Sequence, residues 1–120
     1  DPIPVKWMLS RGYEKNVVVL TRDVKYRKKA NPKMQLFLKA VLHKYPAFLK
    51  DLEERHIHYN ETLEELASLE KEGRIHIIRP SSPIQAAMIE RDESNLERIY
   101  QTGRADMKKD LEKLKAYLDS

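Results

Sequence analysis

The chain has 120 residues, a net charge of +4 and no cysteine, with 41% apolar and 35% charged side chains. That length holds one domain with a modest core, and the composition excludes a disordered or collagen-like chain. The lack of cysteine excludes disulfides, a thiolate nucleophile and a thiolate metal site, so a reducing cytoplasm is the compartment that fits.

Pro4, Val5, Met8 and Leu9 read as a short helix with proline in its first turn, stopped by Gly12. Asn16 to Thr21 (NVVVLT) is a continuous β-branched run, the pattern of a parallel strand covered on both faces. The basic stretch from Arg22 to Pro32 has no apolar period and reads as a loop. Met34, Phe37, Leu38, Val41, Leu42 and Tyr45 recur at three- and four-residue spacing, so an amphipathic helix is expected up to Pro46. A second helix is expected from about Ala47 to Glu72, with Phe48, Leu52, Tyr59, Leu63, Leu66 and Leu69 near one stripe and Gly73 as its left-handed cap. Arg74 to Arg79 (RIHIIR) is a second strand, stopped by Pro80. After the Ser81-Ser82-Pro83 loop and Ile84 to Ile89, a helix capped by Asp92 or Ser94 presents Leu96, Ile99 and Tyr100. Gly103 is expected to break it before a terminal helix carrying Met107, Leu111, Leu114 and Leu118 on one side.

Two strands joined by a long helical crossover predict an α/β unit with parallel strands. An isolated pair is marginal and leaves edges to cover, so either the helices do unusual work or neighbouring strands come from chain outside this sequence. No uninterrupted apolar run exceeds the four residues Val17 to Leu20, far short of the roughly 20 a spanning helix needs. Asp1 to Val5 lacks the pattern of a signal peptide, and the natural start is expected upstream. Asn60-Glu61-Thr62 matches a glycosylation triplet, but no secretory signal accompanies it.

The opening Asp1-Pro2-Ile3-Pro4-Val5, the strand and its exit Val17-Val18-Val19-Leu20-Thr21-Arg22, and the basic Tyr26-Arg27-Lys28-Lys29 together resemble the bacterial patatin-like phospholipases in order and spacing. Arg55-His56 with Tyr59-Asn60, then Leu69-Glu70-Lys71-Glu72-Gly73 and Ile78-Arg79-Pro80-Ser81, extend the resemblance, which weakens after about Glu93. The resemblance implies an α/β fold: the C-terminal part of a patatin-like three-layer domain over residues 1–83, with a helical insertion at about 33–72, and a C-terminal helical extension over 84–120. It also implies a parent enzyme that hydrolyses lipid acyl esters with a Ser-Asp dyad. The family's Gly-x-Ser-x-Gly elbow, Asp-Gly turn and Gly-rich oxyanion loop are missing from this chain, whose glycines are Gly12, Gly73 and Gly103. Asp1 precedes proline rather than glycine, so the family's catalytic aspartate is not transferred to it. Without an activated serine and oxyanion donors the chain alone is expected to be inactive, its partner being the missing N-terminal catalytic part.

Arg22, Lys25, Arg27, Lys28, Lys29 and Lys33 form the densest basic cluster, with Tyr26 among them. Such a run is either a solvated loop or a contact for anionic phospholipid head groups, which would place the protein at the periphery of a membrane. Nucleic acid is the rival ligand, but no recognition module's signature is present. No catalytic, metal or cofactor site is assigned. His56 and His58 are two residues apart and point to different helix faces, so they do not share a metal; His76, inside a strand, is expected to be a hydrogen-bonded structural residue. Arg55 with Tyr59, and His56 with Asn60, form a patch expected to fasten the long helix to the sheet or to the missing part. Ser81 and Ser82 follow a strand but lack the glycines of a nucleophile elbow, and Pro83 fits that turn poorly. The Leu111, Leu114 and Leu118 stripe serves either the chain's own core or another chain. The alternative to a hydrolase fragment is a non-enzymatic helical interaction module or a binder of anionic surfaces.

Overall fold

The computed structural model describes residues 3–87 and 89–120. Its order is α1 (Val5–Ser10), β1 (Asn16–Val19), α2 (Pro32–Val41), α3 (Pro46–Lys71), β2 (Ile75–Ile78) and α4 (Glu93–Asp119). The fold is thus mixed α/β and mostly helical, with β1 and β2 paired in parallel in the register Asn16↔Ile75 to Val19↔Ile78. Contacts divide the chain into two compact units. A helical unit contains Ile3 and Arg27–Ala67, and a sheet unit contains Pro4–Tyr26 and Ser68–Ser120.

In the sheet unit, Gly12 at φ 86° turns the chain from α1 into β1, a backbone region that side chains with a Cβ rarely enter. At φ 72° Gly73 does the same after α3, where its N–H reaches the Glu70 carbonyl and Arg74 N–H reaches that of Leu69. Each strand is four residues long, two shorter than the stretch expected from the sequence. Val18, Ile75 and Ile77 are buried together with Asn16 on one face, and α1 packs against β1.

The opposite face departs from the expectation of a strand covered on both sides. Residues in register share a face, so Val17, Val19, His76 and Ile78 point the same way. On this face α4 packs against β2, whereas Val17 is 40% and Val19 69% exposed.

Gly103 does not interrupt α4, which runs unbroken for 27 residues. A glycine inside a helix costs only about 1 kcal/mol, and the capped N-terminus and long-range anchors described below outweigh that. Asp92 caps the helix, its carboxylate accepting from Ser94 N–H at 3.0 Å and Asn95 N–H at 3.4 Å.

The expected apolar stripe of α4 is only partly packed: Met107 and Leu114 are half-buried on the side that also carries Asp110 and Tyr117. Leu111 and Leu118 are exposed, as are Leu96 and Tyr100, and α4 has no buried residue. Polar side chains on that side tie it down. Asp106 accepts from Ser81 N–H at 2.9 Å, Asp110 accepts from His76 Nε2 at 2.5 Å, and the Tyr117 hydroxyl accepts from Asn16 N–H at 2.9 Å while donating to the Arg74 carbonyl at 3.0 Å. Lys15 Nζ donates to the carbonyls of Tyr117, Leu118 and Ser120, neutralising the negative end of the helix dipole.

In the helical unit, Asn31 caps α2 through Met34 N–H at 3.1 Å and Pro32 occupies the first turn. The helix stops at Val41, so Leu42 and Tyr45 lie in the turn before α3. Its expected core stripe is largely solvated: α2 contains no buried residue, and Met34, Phe37 and Val41 are all more than half exposed. Leu66 of α3, at 2% exposure, is the unit's buried side chain among the described residues.

Candidate functional site

The division between the units falls inside the basic run, between Tyr26 and Arg27. Arg22 and Lys25 therefore belong to the sheet unit, and Arg27, Lys28, Lys29 and Lys33 to the helical unit.

Asp23 shapes the first part. Its carbonyl accepts from Tyr26 N–H at 3.1 Å and its carboxylate from Lys25 N–H at 3.3 Å, a local turn that competes with extension of β1. The Arg22 guanidinium lies 5.0 Å from the centre of the Tyr26 ring, a cation–π contact that fixes one charge while Lys25 stays exposed.

Asn60 organises the second part. Its side-chain oxygen accepts from Lys28 N–H at 2.8 Å and its amide donates to the Lys28 carbonyl at 2.9 Å, so one residue of α3 satisfies both backbone groups of Lys28. The Lys28 ammonium then lies 5.6 Å from the centre of the Tyr59 ring. The Tyr59-Asn60 pair thus fastens the basic loop rather than the sheet. Its partner in the expected patch, His56, bonds locally to the Glu53 carbonyl. Nothing in the amino-acid pattern of Asn60 marks this role, because the bonds run to backbone 32 residues away. Arg27, Lys29 and Lys33 are exposed around this clamp.

His76 has the structural role expected of it, bonded to Asp110 and stacked on Tyr117 with ring centres 5.6 Å apart. Asp106 is held below the ordinary aspartate range chiefly by the Ser81 N–H, with help from the Ser81 hydroxyl and then Lys109. Asp92 N–H and then the Asn95 amide do the same for Glu90. Ser81 is thus engaged through its backbone at the start of the loop after β2.

His56 and His58 do not share a ligand sphere. His58 faces Glu54 at 3.6 Å and Glu61 at 3.2 Å on its own exposed helix. Among the described residues, no three His, Asp or Glu side chains are placed to hold a metal, and no helix is long and apolar enough to cross a membrane.

Compared with known proteins, residues 45–119, spanning α3, β2 and α4, match the family model described as Domain of unknown function (DUF6363). No curated protein and no solved structure matches the chain.

Proposed function

This chain belongs to the family Domain of unknown function (DUF6363), and we propose, from the resemblance of its motifs to the patatin-like phospholipases, that it is the C-terminal part of a patatin-like lipid acyl hydrolase, supporting a catalytic part supplied by other chain. The observation that carries the reading is the uncovered half of β1. Val17 and Val19 stand exposed beside a β2 that α4 covers. Parallel strands are stable when both faces are covered and when they belong to larger sheets. A further strand beyond β1 and a layer over Val17 and Val19 would complete such a sheet, as the three-layer fold implied by the resemblance requires.

In that protein the serine nucleophile, its aspartate base and the oxyanion donors lie outside this chain, whose own role is to buttress the sheet and to bring the basic run Arg22, Lys25, Arg27, Lys28, Lys29 and Lys33 to anionic lipid. The coding sequence immediately upstream tests this directly: a Gly-x-Ser-x-Gly elbow followed by an Asp-Gly turn is expected there, and their absence would refute the hydrolase reading. The purified chain is expected to hydrolyse a short-chain nitrophenyl ester no faster than buffer, and clear turnover free of contaminants would refute the placement of the catalytic groups outside this chain. A second reading, an interaction module that binds anionic surfaces without any enzyme attached, is favoured by the exposed apolar side of α2.

A further inference from the structure

The helical unit is polarised along its sequence. Arg27 to Lys50 contains seven lysines and arginines and no aspartate or glutamate, whereas Asp51 to Ala67 contains six acidic residues and one arginine. Within the basic half, Met34, Phe37 and Val41 occur at i, i+3 and i+7 on α2, all exposed, with Phe37 at 62%. Tyr45 and Phe48 continue the exposed apolar series beyond the helix end. Lys39 turns away toward Glu53 at 3.1 Å, but Lys33, one turn before Phe37 on the same side, and Lys29 and Lys44 are exposed. Apolar surface of this kind is normally covered by something.

We propose that this side of α2 is an interfacial anchor for an anionic phospholipid bilayer, with Phe37, Met34 and Val41 inserted at the boundary between head groups and acyl chains and Lys29, Lys33 and Lys44 on the phosphates. A ten-residue helix is about 15 Å long, too short to span and suited to lying in the interface plane. Lysine stems reach along apolar surface while their ammonium groups stay in water. This layering of charge above hydrocarbon matches a membrane; a nucleic acid would answer the charges and leave the apolar side bare. The acid-free stretch removes the repulsion that carboxylates would meet at an anionic surface. The inference rests on the lipid-facing reading of the basic run and is independent of the hydrolase assignment.

The test uses the full chain with Trp7→Phe, so that Phe37→Trp supplies the single indole, and circular dichroism to confirm that the helices are retained. On vesicles of phosphatidylcholine with about one-third phosphatidylglycerol, the F37W indole should shift to the blue and be quenched by lipids brominated near the head group; on pure phosphatidylcholine it should do neither. In the wild-type background, Lys29→Gln and Lys33→Gln should each lower partitioning about fivefold, with Lys113→Gln on α4 unchanged. Binding to anionic vesicles with a silent indole would overturn insertion while leaving the electrostatic contact standing. No binding to anionic vesicles would overturn both. Equal binding to neutral vesicles would overturn the role of the lysines. A mass that rises with concentration in light scattering, without vesicle binding, would show that a second copy covers the helix and would also overturn the proposal.

Discussion

The two units hold themselves together by different means. In the sheet unit a few buried β-branched side chains, Val18, Ile75 and Ile77, are joined by bonds that bridge distant parts of the chain, such as Asn16 to Tyr117 and His76 to Asp110. The helical unit leaves most apolar residues of α2 in water and is joined by polar contacts such as the Asn60 clamp on Lys28 and the Lys39–Glu53 ion pair. Stability should follow burial and satisfied polar groups rather than the number of apolar residues, because apolar area that never leaves water contributes nothing to folding.

Paired substitutions test that contrast most severely. Ile77→Ala should destabilise the protein by about 3 kcal/mol, the cost of a cavity in a buried site, whereas Phe37→Ala should stay within about 0.5 kcal/mol. Urea unfolding of both variants measures the difference, and equal losses would show that Phe37 is packed in solution. Tyr117→Phe should cost about 1–2 kcal/mol in the same assay, since it leaves the buried Asn16 N–H and the Arg74 carbonyl without their shared partner. Gly103→Ala should raise stability by about 0.5–1 kcal/mol. A Cβ there meets open space and the backbone is already helical, so a loss would mean that α4 bends at this point in solution.

The smallest effect concerns acid. Because the folded-state pKa of Asp106 is depressed, its contribution is present above the ordinary aspartate value and disappears as pH falls through the lower folded value. Asp106→Asn should therefore flatten the loss of stability below about pH 4. An unchanged acid limb in pH-dependent thermal melts would show that the Ser81 N–H contact does not favour the carboxylate.

The amphipathic and β-branched patterns located α1, β1, α3 and β2 within one or two residues, and the parallel pairing followed from the length of the crossover. The basic run was visible as composition, but its subdivision by the Asp23 turn and the Asn60 clamp was not. Asp23 acts on its own loop, and an Asx turn is a local signal that could have been read from Asp23 and its neighbours. Asn60 acts on backbone far away in sequence, and backbone groups are the same at every residue. The α4 anchors Asp106, Asp110 and Tyr117 are hidden in the sequence for a similar reason: charged and polar positions on a long helix usually face water.

Local chemistry determined the element types here. Proline and asparagine begin α2, glycine at positive φ ends α1 and α3, and β-branched runs make the two strands. Which apolar stripe is buried was decided only by tertiary structure. Periodicity states that a helix has an apolar side, while burial depends on what lies opposite. For β2 that neighbour is α4, held by hydrogen bonds between residues remote in sequence, and for Val17, Val19 and Phe37 the described residues leave the side chains facing solvent.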